Sequence, residues 1–291
     1  MKKVIVITDS TSDLSSELAE KYNIQIVPLH LSVPGDDTDY LDGITMTTKS
    51  LFDIVEKYDQ IPVTGARGIK EFINDFKVHI NNGDDIVYVC IGNNYSSTYN
   101  NASIAAQQFP EGRIEVIDSN SLTMGIGFLA IKMAKLRDEG KDIHEIAKII
   151  RKQTGLVMMQ AAVDKLDYLH KGGRCRGLTK AIAHLFKLHP IIRSINGELK
   201  VYQNARGRLE KALDIQIEDF ANDIIANNVD FDSIAIVDSY CSNGEDEYIF
   251  KEVAKYVPEE KILRLKAGCV ISSHCGPNTV GLCYMKKRIS K

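Results

Sequence analysis

The chain has 291 residues, 44% of them hydrophobic and 26% charged, with no tryptophan and a net charge of −3 at neutral pH. That is length enough for two cores with mainly aliphatic interiors, and too much hydrophobicity for a disordered chain. Scattered basic residues and an isoelectric point near 6.2 argue against nucleic acid, or a membrane surface held by charge, as partner.

Val4 to Ile7 is a buried strand, and the polar run Asp9-Ser10-Thr11-Ser12-Asp13 caps a helix starting near Leu14. Asp9 also ends the apolar run after Met1-Lys2-Lys3 far short of a signal sequence. Residues 24–31 read as a second strand, near an edge because of Pro28. The acidic stretch from Asp36 to Gly43 lacks the spacing of a calcium loop and reads as a solvated loop. Helices are expected from Thr47 or Thr48 to about Tyr58 and over 69–80, separated by the polar turn Thr64-Gly65-Ala66-Arg67-Gly68.

The stretch from Ile86 to Ala102 organises this half. A β-branched run gives way to Gly92-Asn93-Asn94 and then to Tyr95-Ser96-Ser97-Thr98 at the head of a helical pattern. Unpaired helical N–H groups, the helix dipole and three hydroxyls suit an anion there; a plain hydroxyl N-cap is the equal alternative. A further strand over 114–117 leads through Asp118-Ser119-Asn120-Ser121 to a helix over 124–136, the strand-loop-helix repetition of a parallel sheet. Gly125 and Gly127 lack the third glycine of a dinucleotide loop and read as close helix packing. No Walker A pattern occurs.

A charged helix over 143–153 precedes Leu156 to Val163, where a second domain begins. The expected division is 1–155 and 156–291. Leu166 to Lys171 forms a short helix ended by Gly172 and Gly173, leaving Arg174 and Arg176 on an exposed turn. Pro190 to Tyr202 is a hairpin about Asn196-Gly197. A helix after Arg206-Gly207-Arg208, a strand over 234–238, a helix over 245–257, a strand over 261–265, a loop over 267–278 and a strand over 280–285 complete the chain. The second sheet is therefore partly antiparallel. The six cysteines form no Cys-x-x-Cys pair, as expected of reduced thiols in a cytoplasmic protein, and no apolar run approaches a membrane span.

Taken in order, Asp9-Ser10-Thr11-Ser12-Asp13-Leu14, Tyr95-Ser96-Ser97-Thr98-Tyr99, Val116-Ile117-Asp118-Ser119 with Met124-Gly125-Ile126-Gly127, Leu166-Asp167-Tyr168-Leu169 with Lys171-Gly172-Gly173-Arg174, and His274-Cys275-Gly276-Pro277 with Gly281 resemble the DegV family across nearly the whole chain. The resemblance implies an α/β fold of two domains, an α/β/α domain with a parallel sheet and a two-layer α/β domain with a mixed sheet, holding a long-chain fatty acid between them. It implies a lipid-binding protein without catalytic residues or cofactor, the subunit of a bacterial fatty acid kinase system that presents the carboxylate to a separate ATP-dependent kinase subunit, which makes acyl phosphate for phospholipid synthesis. By position Thr64, Ser96 and His274 match the carboxylate-binding groups, flanked by Ser97 and Gly276, while Arg174 and Arg206 match arginines facing the kinase.

Three departures from the family pattern concern the head group. Thr64-Gly65-Ala66-Arg67-Gly68 stands for Thr-Ser-Gln-Pro-Ser, Ser97 for a glycine, and Asn278 for the last glycine of His-x-Gly-Pro-Gly. Arg67 replaces a neutral residue, so a guanidinium at the head group is one expectation and a solvent-facing Arg67 the equal alternative; a carrier of another amphiphile is the competing reading of function. A hydrolase built on Ser96 and His274 lacks a Gly-x-Ser-x-Gly elbow. A zinc site built on His274, Cys269, Cys275 and Cys283 lacks finger or ribbon spacing.

Overall fold

A computed structural model of the chain describes residues 3–175 and 188–288. Four short, β-branched runs pair in parallel in the order β2-β1-β6-β7, with β1 Val4–Asp9, β2 Ile24–Val27, β6 Asp85–Cys90 and β7 Ile114–Asp118. Alternation along these strands sends residues to opposite faces. Ile7, Ile86, Tyr88 and Cys90 pack under α3 Ile69–Asn81 and α4 Thr98–Ala106, where Phe72 and Phe76 lie 5.4 and 6.2 Å from the Tyr88 ring. Val6, Val87, Val89 and Ile117 face α5 Met124–Asp138 and α6 Ile143–Gln153.

The second sheet is mixed and six-stranded, in the order β10-β9-β8-β13-β11-β12. Its strands are β8 Val157–Ala162, β9 Leu188–Ile195, β10 Glu198–Arg206, β11 Val229–Ser239, β12 Ile262–Lys266 and β13 Thr279–Lys286. Only the β11 and β12 pair is parallel. One face, with Ala162, Ile236, Val280 and Leu282, packs on α8 Glu210–Ile225 and α9 Glu245–Val253. The other, with Met159, Ala235 and Cys283, joins the core under α5. Helix α5 thus lies between these two sheets, and its first two turns, Met124 to Ile131, are buried on every side, as expected where a helix is apolar all round.

Three local expectations change. The strand expected over 24–31 breaks at Pro28, which has no N–H to give to a ladder, and resumes as β3 His30–Ser32 in a separate three-stranded antiparallel sheet with β4 Asp39–Leu41 and β5 Val63–Gly65. The acidic stretch is not simply solvated, since it supplies β4 and its last carboxylate, Asp42, is buried. The loop expected over 267–278 contains a helix, α10 Cys269–Cys275. The remaining helices are α1 Ser16–Lys21, α2 Thr48–Tyr58 and α7 Leu166–Gly172. Gly173, at φ 66°, ends α7, and the Asn196-Gly197 turn has both residues at positive φ, 52° and 72°, as a tight hairpin demands. Arg176 lies outside the described residues.

Candidate functional site

The face of the six-stranded sheet turned toward α5 floors a cavity of about 260 Å³. Positions of one parity reach it: Met159 and Ala161 from β8, Thr279 and Gly281 from β13, Val237 and Ser239 from β11, and Ile192 from β9. The intervening residues, such as Gln160 and Val280, serve the opposite face. Leu29, Ile91, Leu122, Val270 and Ile271 contribute aliphatic surface from the surrounding segments.

At one end of this cavity four chain segments are stitched together. Thr64, in β5, has its Oγ1 2.8 Å from His274 Nε2 on α10. Arg174 donates from Nε to the Tyr95 carbonyl at 3.5 Å and from Nη1 to the Gly172 carbonyl at 2.8 Å. Gly172 lies so near His274 that a β-carbon there would meet Nδ1 at 2.4 Å. Asn101 Nδ2, in the first turn of α4, donates to the Arg67 carbonyl at 2.9 Å. Thr64, Ser96, Ser97, Arg174 and His274 therefore all line one end of the cavity.

His274 Nδ1 is buried without a hydrogen-bond partner. A buried N–H without an acceptor is rarer than an unused lone pair, so the proton belongs on Nε2, donated to Thr64. This leaves the Thr64 hydroxyl hydrogen free for a ligand. Burial, assisted by the Arg174 charge, lowers the His274 pKa to about 4, which keeps the imidazole neutral. In the ligand-free protein its NMR titration is expected near pH 4; a midpoint at the ordinary value of about 6.5 would contradict the burial. Ser96 Oγ sits 2.8 Å from Thr98 Oγ1 and accepts from Thr98 N at 3.3 Å, so it caps α4 while lining the cavity. Ser97 is exposed with φ −74°, a conformation open to any residue, and the exchange of glycine for serine leaves the backbone unstrained.

The other hydroxyls on the cavity wall are already committed. Thr123 Oγ1 donates to Asp13 Oδ2 at 2.6 Å, Ser239 to Ser272 at 2.9 Å, and Thr279 to the Cys275 carbonyl at 2.8 Å. The free donors are thus concentrated at the Thr64 end.

Buried carboxylates hold this end in place, and their role is not readable from local sequence. Asp13 accepts from Gly268 N at 2.8 Å and Asp42 from Cys269 N at 2.6 Å, so both cap α10 from distant parts of the chain. Gly268 permits the approach, since a β-carbon there would lie 3.1 Å from Asp42 and 3.3 Å from Asp13. Asp13 also bonds Thr123, whose φ of 50° is unfavourable for a β-branched residue. Burial, reinforced by Asp42 and Asp9, raises the Asp13 pKa to about 8; burial likewise raises those of Asp9 and Asp42.

Two residues expected at the head group sit elsewhere. Arg67 lies outside the cavity lining and corrects the head-group expectation: Nε and Nη2 bind Asp75 at 2.6 and 3.0 Å and Nη1 lies 3.2 Å from Glu71. A guanidinium next to two carboxylates of α3 stays with them. Gly276 does not line the cavity either. It ends α10 at φ 77°, where a β-carbon would lie 2.7 Å from the Tyr168 ring, so it serves the backbone. Arg206 is exposed at the end of β10, away from the lining. The hydrolase pairing does not form, because His274 meets Thr64 and Ser96 meets Thr98. Among the described residues no group of three or more His, Cys, Asp or Glu side chains is placed to hold a metal, and no helix is long and apolar enough to cross a membrane.

Residues 3–287 match the family described as "Uncharacterised protein, DegV family". A DegV domain-containing protein of Staphylococcus aureus is 30% identical, over 99% of this chain and 100% of its own length. One of Clostridium perfringens is 29% identical over 99% and 100%. Among solved structures, a DegV family protein of Thermus thermophilus described for its fatty acid binding superposes with a TM-score of 0.86 at 25% identity, covering 98% of this chain and 99% of that one. A stearic acid-binding protein of Eubacterium ventriosum, 24% identical with a TM-score of 0.83 and 99% of each chain covered, shares the fold.

Proposed function

The chain belongs to the DegV family, and on that premise we propose that it binds one long-chain fatty acid in the cavity over its six-stranded sheet and presents the carboxylate to a separate ATP-dependent kinase subunit. The observation that carries the reading is the distribution of polar groups in the cavity: aliphatic walls, hydroxyls bonded to protein groups along them, and, among the described residues, the donors left for a ligand gathered at the Thr64, Ser96 and His274 end. The fatty acid binding described for the Thermus thermophilus relative supports it.

Each methylene removed from water contributes roughly 0.8 kcal/mol, so the acyl chain supplies most of the affinity and the head-group donors set its direction. Neutral His274 fixes the Thr64 hydroxyl, which donates to the carboxylate; Ser96 adds a second hydroxyl. The one cation lining the cavity among the described residues is Arg174, on the turn after α7, where it is held by the Tyr95 and Gly172 carbonyls and can meet a partner's phosphate-bearing substrate. Exposed Arg206 extends the partner-facing surface in this reading. The competing reading, another amphiphile, drew on an Arg67 charge at the head group; with that charge held by Asp75, the altered loop gives no reason to change the ligand.

Two substitutions separate binding from presentation. Thr64→Val removes a hydrogen bond to a charged group, worth about 1.5–3 kcal/mol, and is expected to weaken acid binding roughly tenfold to a hundredfold. Arg174→Ala is expected to keep the acid and lose its phosphorylation by the kinase and ATP. Acid affinity by titration calorimetry and acyl phosphate formation read the two effects. An Arg174→Ala protein that presents its acid normally would sink the partner-facing role.

A further inference from the structure

Gly281 occupies the middle of the second sheet, in β13 between β8 and β11. Glycine in a central strand sacrifices stability, because it orders a flexible residue and packs no side chain. The usual reasons for accepting that loss are absent. Gly281 is not among the residues at positive φ. A β-carbon built there meets only the Gln160 carbonyl at 3.5 Å, the Val237 carbonyl at 3.5 Å and Ala161 Cβ at 4.0 Å, all ordinary contact distances. Gly125 differs sharply, for its β-carbon would fall 2.1 Å from Ser121 Oγ.

The cavity accounts for the missing side chain. Register places Ile192, Ala161, Gly281 and Val237 side by side across four adjacent strands, and all four face the cavity. The two smallest are neighbours at its middle, with Ile192 and Val237 on either side. The floor is therefore a trough, deepest at Gly281 and Ala161.

Resting on the fatty acid reading, we propose that Gly281, with Ala161 beside it, determines the acyl-chain length this protein accepts by leaving the depth of floor that the chain fills beyond its head group. A methyl or isopropyl group at 281 projects into that space without disturbing the backbone. The carboxylate stays at Thr64 and His274, and the methylenes beyond the obstruction lose their burial. Losing one buried methylene costs roughly fourfold in affinity, so a side chain that displaces two or more discriminates long from short acids by about tenfold or greater.

The test uses the full chain with Gly281→Ala and Gly281→Val, measuring affinity for a homologous series of saturated acids and the chain lengths of the acids that co-purify. Expected is a fall of about tenfold or more in the long-to-short affinity ratio for Gly281→Val, a smaller shift in the same direction for Gly281→Ala, and a thermal midpoint of the delipidated variants at or above that of the parent. An unchanged chain-length profile would overturn the proposal, and so would an equal loss for every chain length. Should Gly281→Val fail to fold, Gly281→Ala still decides between these outcomes. Failure of the fatty acid reading itself looks different: the unsubstituted protein then binds no member of the series.

Discussion

Replacing Asp13 by alanine is expected to cost about 2–6 kcal/mol of stability, because it strands two donors, one buried and one partly buried, each worth about 1–3 kcal/mol when left unsatisfied. Those donors are Gly268 N, at the head of α10, and the Thr123 hydroxyl, at the head of α5. Helix α10 carries His274, so fatty acid binding is expected to weaken as well, although Asp13 does not line the cavity. Asp13→Asn keeps an oxygen acceptor and cannot ionise, and is expected to retain most of the stability.

The same pair of variants has a pH signature. The folded-state pKa of Asp13, about 8, lies above its ordinary value of 3.8. Between these limits the native protein holds a proton that the unfolded chain has released, so this group's contribution favours folding at low pH and is lost as pH rises through about 8. His274 acts in the opposite sense: its pKa of about 4 against 6.5 removes stability as pH falls through that window. The measurement is therefore the difference between parent and Asp13→Asn in urea unfolding across the pH series. The parent's advantage is expected to decline steadily toward alkaline pH; parallel curves would show that Asp13 ionises freely in the folded protein.

Valine at Gly125 is the second large effect. The first β-carbon alone would fall 2.1 Å from Ser121 Oγ and 2.8 Å from Val157 Cγ1. Ser121 belongs to the loop after β7 and Val157 opens β8, so the collision lies where α5 wedges between the two sheets. Overpacking of this kind costs typically about 1–3 kcal/mol and occasionally more, and valine's branched carbons add to it. The intrinsic gain in helix propensity from replacing glycine, up to about 1 kcal/mol, does not compensate. We expect Gly125→Val to lower the unfolding midpoint in urea by an amount at or beyond the top of that range, with reduced soluble yield. A midpoint within experimental scatter of the parent would mean that the two sheets are less tightly wedged than the structure shows.

These glycines show how far the sequence alone carries. Gly125 and Gly127 read as close packing from their place in an apolar helical pattern, and the 2.1 and 2.6 Å at which β-carbons there would meet Ser121 and Met124 agree. Asn196-Gly197 reads as a hairpin because a tight turn needs two positive φ angles. The parallel strands and the amphipathic helices α3 and α6 likewise follow from period and capping residues, since those signals are local. Helix α10 is not local in that sense. Its seven residues are too few to be helical alone, and its caps come from Asp13 and Asp42, so the stretch reads as a loop until the chain is folded.

Arg67 fails for a related reason. Its identity announces an anion, but only the fold decides whether that anion is a ligand or Asp75, which lies eight positions along the chain. Thr64 and His274 are 210 positions apart, and nothing in either segment specifies the other; the family resemblance, not periodicity or spacing, pointed to both. The cavity floor was open to reading as alternation along each strand, but the register that sets Gly281 beside Ala161 was not. It depends on which strands become neighbours.

The most direct measurement of the central claim is mass spectrometry of the organic extract of the protein, purified without detergent or added lipid, together with the molar ratio of ligand to chain. The expected result is a long-chain fatty acid at close to one per chain, depleted in Thr64→Val. An empty cavity that takes up no fatty acid on addition, or a stoichiometric ligand without an acyl chain, would contradict it.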